Sequence, residues 1–463
     1  MLAAPDPLNP CGSAADGAAG ADARLAALRG RGIRLGTRTV REVLVRLGDP
    51  QHQAPTVLVA GTNGKGSTTS LIAAAATAAG YRTGSFTSPA LATACEQVLV
   101  DGRPLADRDL ASCLDETIRL AERLRPGEIT AFEALSVAAF TLFRRQDVDL
   151  AVVEVGLGGA RDATNVANPQ VAVLTSVAAD HRDSLGRDVA AVAREKAGIA
   201  RRGRPLVVGW LGPEARQAVA AEAARRGARP RYASGEVRDL TSNRQGFDRQ
   251  RVRFTTDRAA YDLDLALLGD HQARNLALAT LAIEALAAAG FPRLEAGALA
   301  RGVASCRWPG RLESFRLPCG SRVLVDGAHN ASSAQALGVF LRQLAMPYRL
   351  VFGALRDKDA GAMLASLAPA AERVFLASVD DARSWQPQPG AASTRRGDAF
   401  CATIADALDA ARKAVTAAAL HGEPPSVILA CGSLRVVAES HAWLGAQGLR
   451  SVARTARGGV DAS

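Results

Sequence analysis

Residues Thr56–Ser70 read TVLVAGTNGKGSTTS, and no other stretch restricts the fold as strongly. An apolar, β-branched run (Val57–Val59) breaks into Gly61, Gly64 and Gly66 around one lysine, Lys65. Ser67, Thr68 and an alanine-rich helical run to Ala79 follow. Strand, glycine loop and helix in that order wrap a polyphosphate. Glycines let backbone N–H groups approach the oxygens, and the helix N-terminus offers the positive end of its dipole. The lysine neutralises β/γ charge, and a Ser/Thr hydroxyl reaches Mg²⁺. Thr62, Asn63, Gly64, Lys65, Gly66, Ser67 and Thr68 are therefore the candidate phosphate contacts. The spacing departs from GxxxxGK[ST]: the first glycine position falls on Val59, and Gly66 separates Lys65 from Ser67. The competing reading is a glycine turn without function, against which the flanking strand and helix speak.

At 463 residues the chain has room for about three domains, or two large ones. Aromatic residues are only 4%, so alanine, valine and leucine must carry the packing of a chain that is 48% hydrophobic. The formal net charge of +10 is spread over scattered arginines, with no RNA- or DNA-reading motif and no aromatic platform. Anionic small substrates such as ATP and carboxylates are expected rather than nucleic acid. Among the 56 basic residues only Lys65, Lys196, Lys358 and Lys413 are lysines. Each is a candidate for work that needs a compact ammonium or a titratable amine, or else a chance survivor.

Seven widely spaced cysteines with no CxxC read as a reducing, cytoplasmic location without structural zinc. The N-terminal stretch has neither the basic region nor the compact apolar core of a signal peptide. The apolar run Leu276–Phe291 is interrupted by Glu284, so no membrane span is expected.

Strand-like runs at Leu150–Val155 and Val171–Thr175 alternate with helical runs at Thr37–Leu47, Phe132–Arg144 and Asp188–Arg201. That alternation indicates a parallel sheet covered on both faces. Arg251–Leu268 instead alternates with period two around a polar turn and reads as an antiparallel hairpin, followed by a helix over His271–Ala289. From Ser321 a second alternation begins: strands at RVLV, RLVFG, RVFLA and SVILA, helices at Ala334–Leu344, Asp359–Leu367, Ile404–Ala419 and Leu434–Gly445. The fold class expected is α/β: a P-loop parallel-sheet domain with a small antiparallel β element, plus a smaller doubly wound domain. A hinge is expected near Trp308–Phe315. The expected domains are a disordered lead at 1–22, an ATP-binding domain at 23–314, a Rossmann-like domain at 315–449 and a disordered tail at 450–463.

Several acidic, basic and imidazole side chains fall where open α/β sheets place ligands, at strand carboxyl ends. Glu154 closes the LAVVEV run before Gly156, Gly158 and Gly159 and could hold Mg²⁺, or simply bond a turn. His181, in Asp180-His181, follows the next strand and could ligate a second divalent ion, or be a bonded loop histidine. Lys196 lies on a mostly apolar helix. It either snorkels to water or reacts with CO₂ to form a carbamate, which an always-protonated guanidinium cannot do. Asp326 and His329, in Asp326-Gly327-Ala328-His329-Asn330, follow a strand of the second domain. With Arg311 and Asn275 they could meet ATP in an interdomain cleft, or serve as ordinary turn and cap residues.

Taken together, these motifs resemble the Mur-ligase-type folylpolyglutamate synthase/dihydrofolate synthase family, of the bifunctional bacterial type. GTNGKGS, FTSP, the Phe132-Glu133 pair, EVGLGGxxDATN, TS…DH…LG, REKAGI, HQxxN, WPGRLE, DGAHN, GxxxDKD and GSL occur in the family's order between Gly61 and Leu434. The resemblance implies two domains with ATP between them. It implies that Lys65 and its loop hold the phosphates, and that Ser67, Ser88, Glu154, His181 and Lys196 serve the magnesium sites, with Lys196 carbamylated. Asn275, Arg311, Asp326 and His329 are expected around the nucleotide, and Lys65, Glu154, His181 and Lys196 carry catalysis. Asp357-Lys358-Asp359 matches without an assigned role. The reaction implied is ATP-dependent addition of L-glutamate to dihydropteroate or to the glutamate tail of reduced folates, through an acyl phosphate. A monomer is expected.

One segment departs from the family. The resemblance leads to His-Leu after TSP and then an Asn-Glu-Arg-like stretch, where this chain reads TSPALATACEQV. Ala90 stands in place of histidine and Gln97 in place of arginine, beside the carboxylate site of relatives, so a fixed carboxylate clamp is missing. Two alternatives follow: a ligase of the same fold that couples a different acid to an amine, and a non-catalytic ATP-binding protein.

Overall fold

A computed structural model describes residues 20–178, 188–386, 398–449 and 451. The chain divides into two compact units. The first runs through Thr241 and adds Arg253–Leu263 and Arg274–Cys306; the second comprises Ser242–Val252, Asp264–Ala273 and the chain from Arg307.

The first unit is built on an eight-stranded sheet: β1 (Thr56–Ala60), β2 (Thr83–Phe86), β3 (Val98–Val100), β4 (Arg103–Pro104), β5 (Leu150–Glu154), β6 (Val171–Leu174), β7 (Pro205–Val208) and β8 (Arg229–Tyr232). The order is β4-β3-β2-β5-β1-β6-β7-β8. The pairs from β2 through β8 are parallel, and β3 and β4 are added antiparallel at one edge. Every residue of β1 and β5 is buried, as helices on both faces of a parallel sheet require. The register sets Val59 beside Glu154 on one side and Ala60 beside Leu174 on the other. The residues that follow β1, β5 and β6 therefore leave the sheet side by side, at the point where successive strands change from one flank of β1 to the other.

With few aromatics, close packing rests on small residues. The helices Lys65–Ala78 and Ala296–Ser305 touch backbone to backbone: a Cβ on Gly302 would lie 2.5 Å from the Ala75 Cα. Gly84, in β2, lies under the Phe143 ring, 2.6 Å from where its Cβ would be.

Between the units' main sheets in sequence, β9 (Arg238–Gln245), β10 (Arg249–Thr255) and β11 (Ala260–Leu265) make a three-stranded sheet in the order β11-β10-β9. The hairpin expected over Arg251–Leu268 is present as β10 and β11. β9 was not anticipated, because its residues, RDLTSNRQ, show hardly any apolar alternation.

The second unit holds β12 (Glu313–Arg316), β13 (Arg322–Val325), β14 (Tyr348–Phe352), β15 (Arg373–Ser378), β16 (Ala399–Thr403) and β17 (Val427–Cys431), in the order β12-β13-β17-β14-β15-β16. Only β12 is antiparallel. Leu324, Leu350, Phe352, Met363 and Leu429 are central to its core. β12 straddles the division drawn at 314/315, and its pairing with β13 puts it wholly in this sheet.

Two sequence expectations shift locally. The helix read over Asp188–Arg201 spans Val189–Ala197, capped by the Asp188 carboxylate, which accepts from Ala190 N at 2.9 Å; Gly198 ends it. A helix at Ala21–Leu28 begins inside the stretch read as a disordered lead. Among the described residues no helix is long and apolar enough to cross a membrane.

Candidate active site

Gly61, directly after β1, has φ +152°, and a Cβ there would come 1.9 Å from Thr175 Oγ1. Gly64 has φ +84°, a left-handed conformation that a side chain rarely tolerates, and its Cβ would meet Asn275 Oδ1 at 2.4 Å. Lys65 then opens the helix, whose first internal bond runs from Thr68 N–H to Gly64 O at 2.9 Å. The first N–H groups of an α-helix lack an i−4 carbonyl, which is what makes such a start an anion site. Asn275 is therefore placed against the loop by tertiary packing.

Lys65 Nζ lies 3.9 Å from Glu154 Oε1 and donates to Thr62 O at 3.3 Å. Glu154 is 4% exposed. Its Oε2 accepts from Ser88 N–H at 3.2 Å, so the FTSP segment and the end of β5 meet at one carboxylate. Lys196, 5% exposed, donates from Nζ to Gly61 O at 3.0 Å. Ser67 is buried in the first helical turn. Around the carboxyl end of β1 the first unit thus gathers two amines, one carboxylate and the Ser67 and Ser88 residues. His181, the remaining member of the expected metal set, lies outside the described residues. Among the described residues no three His, Cys, Asp or Glu side chains converge as a metal cluster.

The EVGLGG loop is pressed onto the Lys196 helix. A Cβ on Gly159 would come 2.6 Å from Glu195 O, and Ala160 N–H donates to that carbonyl at 2.8 Å. Asp162 is fully enclosed. It accepts from Leu157 N–H at 2.8 Å and Thr164 N–H at 2.9 Å, while burial pushes its carboxyl above the usual aspartate range. Arg201, at the far end of the same segment, donates to Asn165 O and Ala167 O at 3.0 and 2.8 Å; burial lowers its pKa to about 10.

The divergent loop has its own internal order. Glu96 accepts from the N–H groups of Leu91, Ala92 and Thr93 at 3.0, 3.2 and 3.3 Å. Gln97 donates from Nε2 to Thr87 O at 3.2 Å and is buried. Ala94 N–H donates to Asp22 at 3.2 Å, tying the N-terminal helix to the loop.

In the second unit, Asp326 accepts from Leu312 N–H and Ala328 N–H, both at 2.9 Å. Gly327 is needed beneath Arg311: a Cβ there would lie 2.0 Å from the guanidinium. His329 Nδ1 is 2.8 Å from Gly327 O; a carbonyl only accepts, so Nδ1 carries the hydrogen. Asn330 caps the following helix. Arg311, Asp326 and His329 are thus brought together in the second unit. Lys358 Nζ lies 3.9 Å from Asp357 Oδ2. Sequence reading passed over Thr175 and Ser176 as individual residues, although they open the TS…DH motif; both bond the phosphate loop directly.

The chain matches two family descriptions, the Mur ligase middle domain over residues 59–283 and the Mur ligase glutamate ligase domain over residues 310–434. It is 34% identical over 402 residues to the folylpolyglutamate synthase of Lacticaseibacillus casei, covering 86% of this chain and 91% of that protein. Identity to the dihydrofolate synthase/folylpolyglutamate synthase of Escherichia coli is 33% over 416 residues, 89% and 92% of the two chains. The structure of Mycobacterium tuberculosis folylpolyglutamate synthase with ADP superposes with a TM-score of 0.83 at 31% identity, covering 92% and 99% of the chains. With that sequence likeness and this arrangement of motifs on the fold, the chain belongs to the Mur-ligase-type folylpolyglutamate synthase/dihydrofolate synthase family of ligases.

Proposed function

We propose that this protein joins L-glutamate to a pteroate- or folate-type carboxylic acid at the expense of ATP. The observation that carries the reading is the convergence of Lys65, Glu154 and Lys196 on the carboxyl end of β1, with Asn275 seated on the loop. The relatives' names and the ADP complex of the Mycobacterium tuberculosis enzyme support the same chemistry. An oxygen of the acid attacks the γ-phosphorus of ATP, and ADP leaves. The glutamate amine then attacks the acyl carbon, phosphate departs and the amine loses a proton. Phosphoryl transfer of this kind depends on positioning and charge neutralisation. Lys65 and the loop N–H groups hold the transferring phosphate with Asn275 beside them, and Arg311, Asp326 and His329 are the second unit's candidates for contact with ATP.

The buried Glu154 carboxylate is a hard oxygen donor at the β1 end, and the Ser67 and Ser88 hydroxyls are the candidates to join it. They suit Mg²⁺, which takes few protein ligands beside water and phosphate. With His181 and a carbamylated Lys196 they would hold two ions. Bound Mg²⁺ would offset the charge that develops on the phosphate oxygens. Lys196 is buried against Gly61 O, where a carbamate would replace a cation by an anion. We place the protein in the cytoplasm as a monomer.

The test is ATP-dependent phosphate release with L-glutamate and either dihydropteroate or a reduced folate, with products weighed by mass spectrometry. Dihydropteroate heavier by one glutamyl residue identifies synthase activity, and a lengthened folate adds the polyglutamate role. A second reading, a different acid, is favoured by one observation: Gln97, where the family resemblance leads to arginine, is buried and bonded to Thr87 O. It predicts nucleotide binding with neither acid consumed.

A further inference from the structure

Thr175-Ser176 directly follows β6, and both hydroxyls turn onto one peptide group of the phosphate loop. Thr175 Oγ1 donates to Asn63 O at 2.7 Å, and Ser176 Oγ donates to the same oxygen at 3.0 Å. Asn63 N–H in turn donates to Ser176 Oγ at 2.9 Å. Thr62 N–H donates to Ser176 O at 2.8 Å, and Thr62 Oγ1 bonds both Ala178 O, at 3.2 Å, and Ala178 N–H, at 3.0 Å.

We propose that Thr175 and Ser176 are positioning residues that orient the Asn63–Gly64 peptide, and through it the Gly64 N–H and the start of the Lys65 helix, toward the nucleotide phosphates. A trans peptide is planar, so its C=O and N–H point to opposite sides. Two hydroxyls that hold Asn63 C=O toward β6 therefore hold Gly64 N–H away from it. Rotation of this peptide would strip a part-buried carbonyl of both donors at once. Gly61 completes the device, because Thr175 Oγ1 occupies the space a Cβ at that position would need. The inference rests on the nucleotide-dependent ligase reading above and extends it to residues that do not themselves touch the reacting atoms.

The variants are Thr175→Val, Ser176→Ala, the double variant and Thr175→Ser. Two readouts are used: kcat/KM for ATP in the phosphate-release assay, beside the KM of acid and glutamate, and the Kd of AMPPCP by calorimetry. Each loss of a hydroxyl is expected to lower kcat/KM for ATP and weaken AMPPCP by about tenfold, and the double variant by about a hundredfold. The KM of acid and glutamate stays unchanged, and Thr175→Ser stays within about threefold of the parent. A packing role predicts the reverse order, with Thr175→Val tolerated as the isostere and Thr175→Ser impaired by its lost methyl. That order, or an unaltered AMPPCP Kd in a double variant that still melts cooperatively, overturns the proposal. The AMPPCP arm decides the matter even if the parent consumes neither acid, so failure of the ligase reading is seen separately.

Discussion

Asn275 and Gly64 are in direct contact: the amide oxygen of Asn275 stands 2.4 Å from where a Cβ on Gly64 would be. The long helix Asp270–Ala288 and the phosphate loop therefore fit together only because position 64 has no side chain. Gly64→Ala meets two obstacles, the left-handed backbone at φ +84° and the Asn275 amide. We expect kcat/KM for ATP to fall by at least about tenfold, the equivalent of somewhat over 1 kcal/mol of strain. Steady-state kinetics with ATP varied check this, and the double change Gly64→Ala with Asn275→Ala should recover only the part due to the clash.

Lys65→Ala removes the ammonium that lies 3.9 Å from Glu154 and faces the loop. A kcat lower by about 10²–10³ is expected, the scale for loss of one partner of transition-state charge. Turnover near that of the parent, measured at saturating ATP, would remove Lys65 from the mechanism.

Lys196→Arg keeps a positive charge but cannot form a carbamate. Activity should be lost, and it should not return on adding bicarbonate. The parent protein labelled with ¹³C-bicarbonate should show a carbamate carbon resonance that the variant lacks.

Glu284 anchors a buried network: it accepts from Arg231 Nη2 at 3.0 Å, Thr256 Oγ1 at 2.6 Å and Tyr261 Oη at 3.1 Å. Burial and the neighbouring Glu284 charge together push the Tyr261 hydroxyl well above its ordinary range, so it stays a donor. Glu284→Ala removes one of the two carboxylates that bond Arg231 and should destabilise the fold by about 3 kcal/mol. A drop in the melting midpoint, larger than that of Glu236→Ala, is the expected signature.

The Asp381 carboxyl is held at about 2, below its ordinary 3.8, chiefly by the Arg383 side chain and also by the Arg435 charge. The folded state therefore binds this proton less readily than the unfolded state. The stabilisation is complete above pH about 4 and is lost as pH falls through about 2. Because the arginine partners are largely solvent-exposed, it amounts to about 1 kcal/mol at most. Asp381→Asn should flatten the acid limb of a stability-versus-pH curve between those values and lower stability at pH 7 by that same amount, about 1 kcal/mol at most.

The contacts of the phosphate loop were legible because its members are neighbours in the chain. Strand, glycines, Lys65 and Ser67 follow one another, so residue type and local spacing signal them. β9 was missed for the opposite reason: a strand of mostly polar residues leaves no period-two signal. Gln97 could be seen in the sequence as a lost arginine, yet its burial on Thr87 O could not, since that bond depends on how the loop folds back.

By itself the sequence determined the alternation of strands and helices, the loop and the ordered motifs, all of which depend on residue type and local spacing. Only the tertiary structure decided that Lys196, 135 positions away, donates to Gly61 O, and that Thr175 and Ser176 grip Asn63. The reason is the sheet: β1 lies between β5 and β6 in one parallel register. That arrangement, sealed by burial of apolar strands on both faces, carries residues distant in the chain to one edge.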